Sequence, residues 1–327
     1  MTERIWDRSL LITAGAVTIV SIVSVWLAWS TPTESPVQWS WIALGPVLGA
    51  ALISYALRNV RFFYFLSRSG VSISLPRTVQ VQAVGFALSV TPGHAGEVFK
   101  LHLLREHTGT PIAQSAPLLL LDRVTEGGGF VILSTLSALA LPTLTGRIPT
   151  PALSLLGLGI GFAFALTRNR LPAYATCLNI RLSRSSLWNR SVPYLQNLWQ
   201  GLRTSFTIHQ ILGGLALSAL ARFADGCVVL LIAQLLGVSL VLPAAIFVLA
   251  ASGLAGGLSL LPAGVGAVET TMIGLLVLFG APWSTALVIA LLTRLVTLWL
   301  WVALGLTLAF LMYLPSLRRF LRKSDAL

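Results

Sequence analysis

Ten carboxylates occur in a chain of 327 residues, and five of them, Glu97, Asp122, Glu126, Asp225 and Glu269, fall in or beside apolar sequence. Their basic neighbours are His94, Lys100, Arg123, Arg222 and Arg294. A charged side chain at the centre of a membrane helix costs roughly 2.5 to 3.5 kcal/mol on insertion scales, so each is expected to face a partner or water, and together they line one polar interior. In the phrase DRVTEGGG, Asp122 and Glu126 stand four apart on one helix face, with Arg123 three before Glu126 and within its reach. Arg222 and Asp225 repeat the three-residue spacing. One reading makes these internal ion pairs that let polar helices be buried. In the other, the arginines hold a lipid phosphate, because a guanidinium presents a fork of donors matched to phosphate oxygens. The carboxylates would then counter a cationic group or gate the site, and both readings hold together if a pair opens when substrate arrives.

Two short phrases supply a second kind of chemistry. TPGHAGEVFK (91–100) and LPAGVGAVET (261–270) each place a glycine four residues after a proline, Pro92 then Gly96 and Pro262 then Gly266, with Glu97 or Glu269 following. Such a turn starts or ends a half-helix, whose N-terminus aims unpaired N–H groups at an anion. Gly93, Gly96, Gly264 and Gly266 permit close approach of backbone or head group. About 27 residues beyond each glycine an arginine, Arg123 then Arg294, interrupts a hydrophobic stretch. Paired interruptions of this kind point to a transporter binding site. Gly45 and Gly49, in a GxxxG spacing, read instead as helix packing.

The elements that must position these groups are membrane helices. The chain is 56% hydrophobic and 10% charged, with a mean hydropathy of +0.85, beyond the range of a soluble domain. Residues 10–29 carry no charge and have the length of a spanning helix, and the charged segment before them reads as cytoplasmic and uncleaved. Further spans are expected over 40–57, 117–141, 151–166, 208–236 and 284–314. The apolar stretch 79–90 is too short for a crossing and fits a re-entrant helix. Residues 243–261 followed by 264–280 read equally as two thin spans or as one hairpin. The expected fold is an all-α polytopic membrane protein in one integral domain, with about six full spans plus two re-entrant or broken elements, or eight spans by plain hydropathy. It comprises a first pseudo-repeat over 40–141, a basic cytoplasmic linker over 167–207 with an interfacial amphipathic helix, and a second pseudo-repeat over 208–314.

The net charge of +12 is distributed as a topology signal and does not call for nucleic acid. Basic residues gather in 58–77, at Lys100 and Arg105, in 168–203 and in 318–323, and the positive-inside rule makes those segments cytoplasmic, with both termini inside. On this account the chain returns to the cytoplasm at Arg58. The first Pro-Gly element then enters from the cytoplasm and the second from the opposite side, the arrangement of an inverted-topology repeat.

Several phrases are missing from the sequence. There is no GxxxxGK[ST], HExxH or GxSxG, and neither Lys100 nor Lys323 is placed for ATP hydrolysis. Cys177 and Cys227 form no CxxC, and His102 and His107, five apart, share no helix face cleanly. No metal, cofactor or catalytic residue is expected.

TPGHAGEVFK, then LLLLDRVTEGG, then LPAGVGAVETTMIGLL and LLTRLVTLWLW resemble the flippase-like transmembrane region of lysylphosphatidylglycerol synthases and their stand-alone relatives. The resemblance covers most of the chain. It implies a membrane region that moves a lipid between leaflets, which in the full synthases is joined to a soluble aminoacyl-transferase domain. Lysine transfer is not carried over. Two positions depart from the family pattern: His94 stands where arginine is frequent, and Ala263 where glycine is common.

The leading expectation is a flippase of the bacterial inner membrane, not an enzyme, acting on a phospholipid or an aminoacylated phospholipid. Arg123, Arg222 and Arg294 would bind phosphate, with Lys100, His94 and Asp225 in the same polar lining. A hopanoid or an isoprenoid carrier is the alternative cargo. From other classes come an intramembrane lipid-modifying enzyme using His94 and Glu97 as acid and base, and an accessory subunit of a lipid-synthesis complex. The expected partners are membrane lipids, a second copy of the chain and a lipid-synthesis enzyme.

Overall fold

The computed structural model describes Trp26 and residues 41–88, 95–141, 207–259 and 261–311. Among them every element is helical: α1 Trp41–Arg68, α2 Leu75–Leu88, α3 Ala95–Thr108, α4 Ile112–Leu139, α5 Ile208–Leu235, α6 Leu242–Leu258, α7 Ala267–Leu278 and α8 Trp283–Leu311. A 3₁₀ turn, Pro262–Gly264, joins α6 to α7, and a π turn, Leu295–Trp299, interrupts α8. The spans expected over 10–29 and 151–166, the linker before Thr207, the basic tail, and Pro92, Gly93 and His94 lie outside the described residues.

Local chemistry sets several of these ends. Thr207 caps α5, its hydroxyl accepting from the Gln210 N–H at 3.3 Å while the Gln210 side chain accepts from the Thr207 N–H at 3.3 Å. Pro243 lies in the first turn of α6, and Pro282 is the residue that precedes α8, both where a missing N–H costs the helix nothing. The expected spans at 208–236 and 284–314 coincide closely with α5 and α8, which are long and apolar enough to cross a membrane by length and composition.

The elements fall into two runs of the same order. Each opens with a helix of 28 residues, α1 or α5. A shorter helix follows, 14 residues in α2 and 17 in α6, then the Pro-Gly phrase, then 14 residues in α3 and 12 in α7. Each closes on a long helix, 28 residues in α4 and 29 in α8. The two opening helices pack on each other, and α2 on α3 and α6 on α7 pack as neighbours.

Two apolar clusters occupy the ends of this bundle. One joins Val47 and Ala51 of α1 to Val228, Val229 and Ile232 of α5 and to α6, α7 and α8. The other gathers Phe62, Phe65 and Leu66 of α1 with Val81, Leu103, Leu104 and Leu118. Between them along α1, α4 and α5 the sequence is charged. Outward the pattern reverses: Leu52 and Ile53 of α1 are each 57% exposed, and Leu304, Phe310 and Leu311 of α8 are exposed as well. Arginine inside and leucine outside is the inverse of a soluble protein, and it suits a hydrocarbon surround.

One expectation is corrected: the helix that was to end at residue 57 continues to Arg68. Apolar and aromatic residues keep alternating with the arginines there, and Arg61 is only 2% exposed. A Cβ added at Gly45 or Gly49 meets nothing within 4 Å among the described residues, so none of these supplies the packing expected of that GxxxG spacing.

Candidate functional site

The charged midsections of α1, α4 and α5 form one connected network. On α4, Asp122 accepts from Arg61 Nε at 2.8 Å, and Glu126 accepts from Arg123 at 2.9 Å, three residues back on the same helix. Asp122 and Glu126 share a face as their spacing requires, and Arg61 reaches both, lying 3.8 Å from Glu126. Arg222 of α5 donates to Glu126 and, at 2.9 Å, to Asp225. Asp225 accepts a further hydrogen bond from Arg58 at 2.5 Å. Arg61 also donates to the Ser218 hydroxyl at 2.5 Å. Lys100 of α3 is buried with its ammonium 5.7 Å from the centre of the Phe62 ring. Its stem crosses Gly85 of α2, where an added Cβ would stand 2.1 Å from Lys100 Cγ.

Arg58, Arg61, Lys100, Arg123 and Arg222 thus surround Asp122, Glu126 and Asp225, five cations against three carboxylates. Two of the guanidiniums are also flanked by an aromatic face. Arg222 sits 4.5 Å from the centre of the Phe130 ring, and Arg58 5.9 Å from that of Phe86, distances at which a cation is attracted to the ring quadrupole.

This network forms one wall of a cavity of about 460 Å³, a volume within the range of sites for small ligands. Arg58, Arg123, Glu126, Arg222 and Asp225 line the polar side. Leu249, Leu254, Leu258, Leu261, Val268 and Met272 line the apolar side, with Ala263 and Gly264 of the second turn between. Leu258 is 77% exposed and Leu261 46%, so the apolar side opens past leucines. A smaller space of about 30 Å³ behind the arginines, bordered by Asn59, Gln82 and Lys100, is the size of a water or two.

The second Pro-Gly turn is held by two charged residues. Glu269 accepts from the Gly266 N–H at 2.7 Å with one oxygen and from Arg294 Nε at 2.7 Å with the other. Arg294 then donates to the Ala263 carbonyl at 2.7 Å. Ala263 has φ of +51°, a left-handed conformation that suits glycine far better. Gly264, at φ +65°, has no room for a side chain, because a Cβ there would lie 2.9 Å from Gly256 Cα.

Of the expected site residues, Arg123, Glu126, Arg222, Asp225, Gly264 and Arg294 border the cavity. Lys100 and Asp122 stand in the smaller space behind. Glu269 and Gly266 belong to the turn's support. Gly96 and Glu97 lie in the first turn of α3 by backbone, and their side-chain surroundings are outside the described residues, as are Pro92, Gly93 and His94. Pro262 opens the 3₁₀ turn. Arg58 and Arg61 were missed as site residues, having been read as topology markers. Their three-residue spacing inside the run YALRNVRFFYF was the signal available.

The comparisons follow the same outline. A family model described as the lysylphosphatidylglycerol synthase TM region matches residues 11–305. The chain is also similar to a UPF0104 membrane protein of Methanothermobacter thermautotrophicus, 24% identical over 310 residues that cover 89% of this chain and 90% of that one.

Proposed function

The chain belongs to the lysylphosphatidylglycerol synthase TM region family of membrane proteins, and from that premise we propose that it moves a phosphate-bearing lipid between the leaflets of the bacterial inner membrane. The observation that carries this reading is the two-sided cavity. Arginines from the midsections of α1, α4 and α5 face leucines of α6 and the second turn across about 460 Å³. A buried ionisable cluster midway along membrane helices marks a substrate path, and a site charged on one side and apolar on the other matches a head group still attached to its chains. The repeated order of element lengths supports an inverted-topology repeat, with α2–α3 and α6–α7 as re-entrant hairpins entering from opposite faces and both termini cytoplasmic. On this reading the chain is a transporter and carries out no catalysis of its own.

Reconstituted proteoliposomes carrying a head-group-labelled phospholipid test this. Protein-dependent exposure of the label to a membrane-impermeant quencher is expected, with Arg222→Ala slowing it at least about tenfold, since a charge-assisted phosphate contact is worth more than 1.4 kcal/mol. A folded Arg222→Ala protein that moves lipid at the original rate would refute the assignment. A new lipid species seen by mass spectrometry would favour an enzyme instead.

A further inference from the structure

Resting on that reading, we infer that the cavity selects an anionic head group, a phosphate with no ammonium to balance it, and seats that phosphate between Arg58 and Arg222. The carboxylates decide the point. A zwitterionic or aminoacylated head group brings an ammonium that needs an acid of its own. Among the described lining residues the acids are Glu126 and Asp225, and each already accepts from two arginines. Both acids on that wall are thus already paired with arginines, and the cations lining it outnumber them.

The donors are correspondingly in excess. Asp225 Oδ2 takes both Arg58 and Arg222, so one oxygen serves two guanidiniums. Arg222, with its side chain 6% exposed, retains a buried Nε with no hydrogen-bond partner, and Arg58 Nε is in the same condition. A buried donor without an acceptor is costly, and a guanidinium that turns toward a ligand in the cavity both arginines border would relieve that cost. A tetrahedral phosphate has enough acceptor oxygens for two forks at once, which a single carboxylate oxygen does not. Phe86 and Phe130 lie against the two arginines and line the same cavity, so they restrict water at the contact and strengthen it.

The test uses the full chain in detergent and short-chain ligands that need no bilayer. Dihexanoylphosphatidylglycerol, dihexanoylphosphatidylcholine, a lysyl ester of the former and inorganic phosphate are titrated by calorimetry. The expected result is phosphatidylglycerol binding at least about tenfold tighter than either head group with an ammonium, a gap of about 1.4 kcal/mol. Arg222→Lys and Arg58→Lys, which keep the charge but lose the fork, should each remove most of that preference. Equal affinity for phosphatidylglycerol and phosphatidylcholine, or tighter binding of the lysyl ester, would overturn the inference. So would inorganic phosphate binding as tightly as phosphatidylglycerol, which would make the ligand a free anion. Transport in proteoliposomes separates the two claims. Movement of both lipids at one rate sinks the selectivity and leaves the transporter standing, whereas selective binding without movement of any lipid leaves the anion site and removes the transporter.

Discussion

Arg58 and Arg222 donate to the same oxygen of Asp225, at 2.5 and 2.9 Å, from helices α1 and α5 that open the two halves of the chain. Two guanidiniums at hydrogen-bonding distance from one atom repel each other, and the carboxylate offsets that repulsion. The contact therefore joins the halves only through Asp225.

Asp225→Asn is expected to destabilise the protein by about 3 to 5 kcal/mol, because two mostly buried cations lose their shared partner. Thermal unfolding in detergent measures it. Dihexanoylphosphatidylglycerol should raise the midpoint of the variant more than that of the parent, since the phosphate then replaces the missing charge; an equal rise in both would contradict the arrangement.

Arg61 and Asp122 serve the fold instead of the cavity, each about 2% exposed and bonded to each other. Arg61→Met or Asp122→Leu alone should cost about 3 to 5 kcal/mol, and the double substitution should recover much of the loss, as apolar replacement of a buried pair does. Additive losses in the double variant would show that the pair is not a unit.

Ala263 occupies left-handed backbone that glycine adopts freely. Ala263→Gly is expected to stabilise the protein by about 1 kcal/mol, and Ala263→Val to destabilise it by more. Denaturation midpoints in a fixed detergent should rank Gly above Ala above Val, and any other order counts against strain at the turn.

Leu258, highly exposed on the cavity's apolar side, is placed to meet acyl chain and not head group. Leu258→Ser should slow transport of long-chain lipid severalfold while binding of dihexanoylphosphatidylglycerol stays as it was. A parallel loss of both would move the opening elsewhere.

Helix type, the major apolar segments and the ion pairs three residues apart were legible in the sequence, because each depends on spacing within one helix. Arg123 to Glu126 and Arg222 to Asp225 are bonded as that spacing demands. The contributions of Arg58 and Arg61 were not. A cluster of arginines at the end of an apolar run reads the same whether it flanks a membrane or turns inward, and only the packing of α1 on α5 decides. The bond between Arg294 and Glu269 was hidden for a related reason, since it closes across α7 and α8 and no local period encodes it.

Helix α7 has 12 residues, a rise of about 18 Å against a hydrocarbon layer of about 30 Å. In the proposed hairpin one of its ends therefore stops short of an interface. The end that abuts the cavity carries the non-helical Ala263, the bare turn and the Arg294 bond. Irregular backbone at depth survives only where protein or a polar recess replaces the hydrocarbon. The recess is then a condition of the turn's existence as much as a place for a ligand, and a side chain large enough to plug it would deprive the chain of its solvent at that depth.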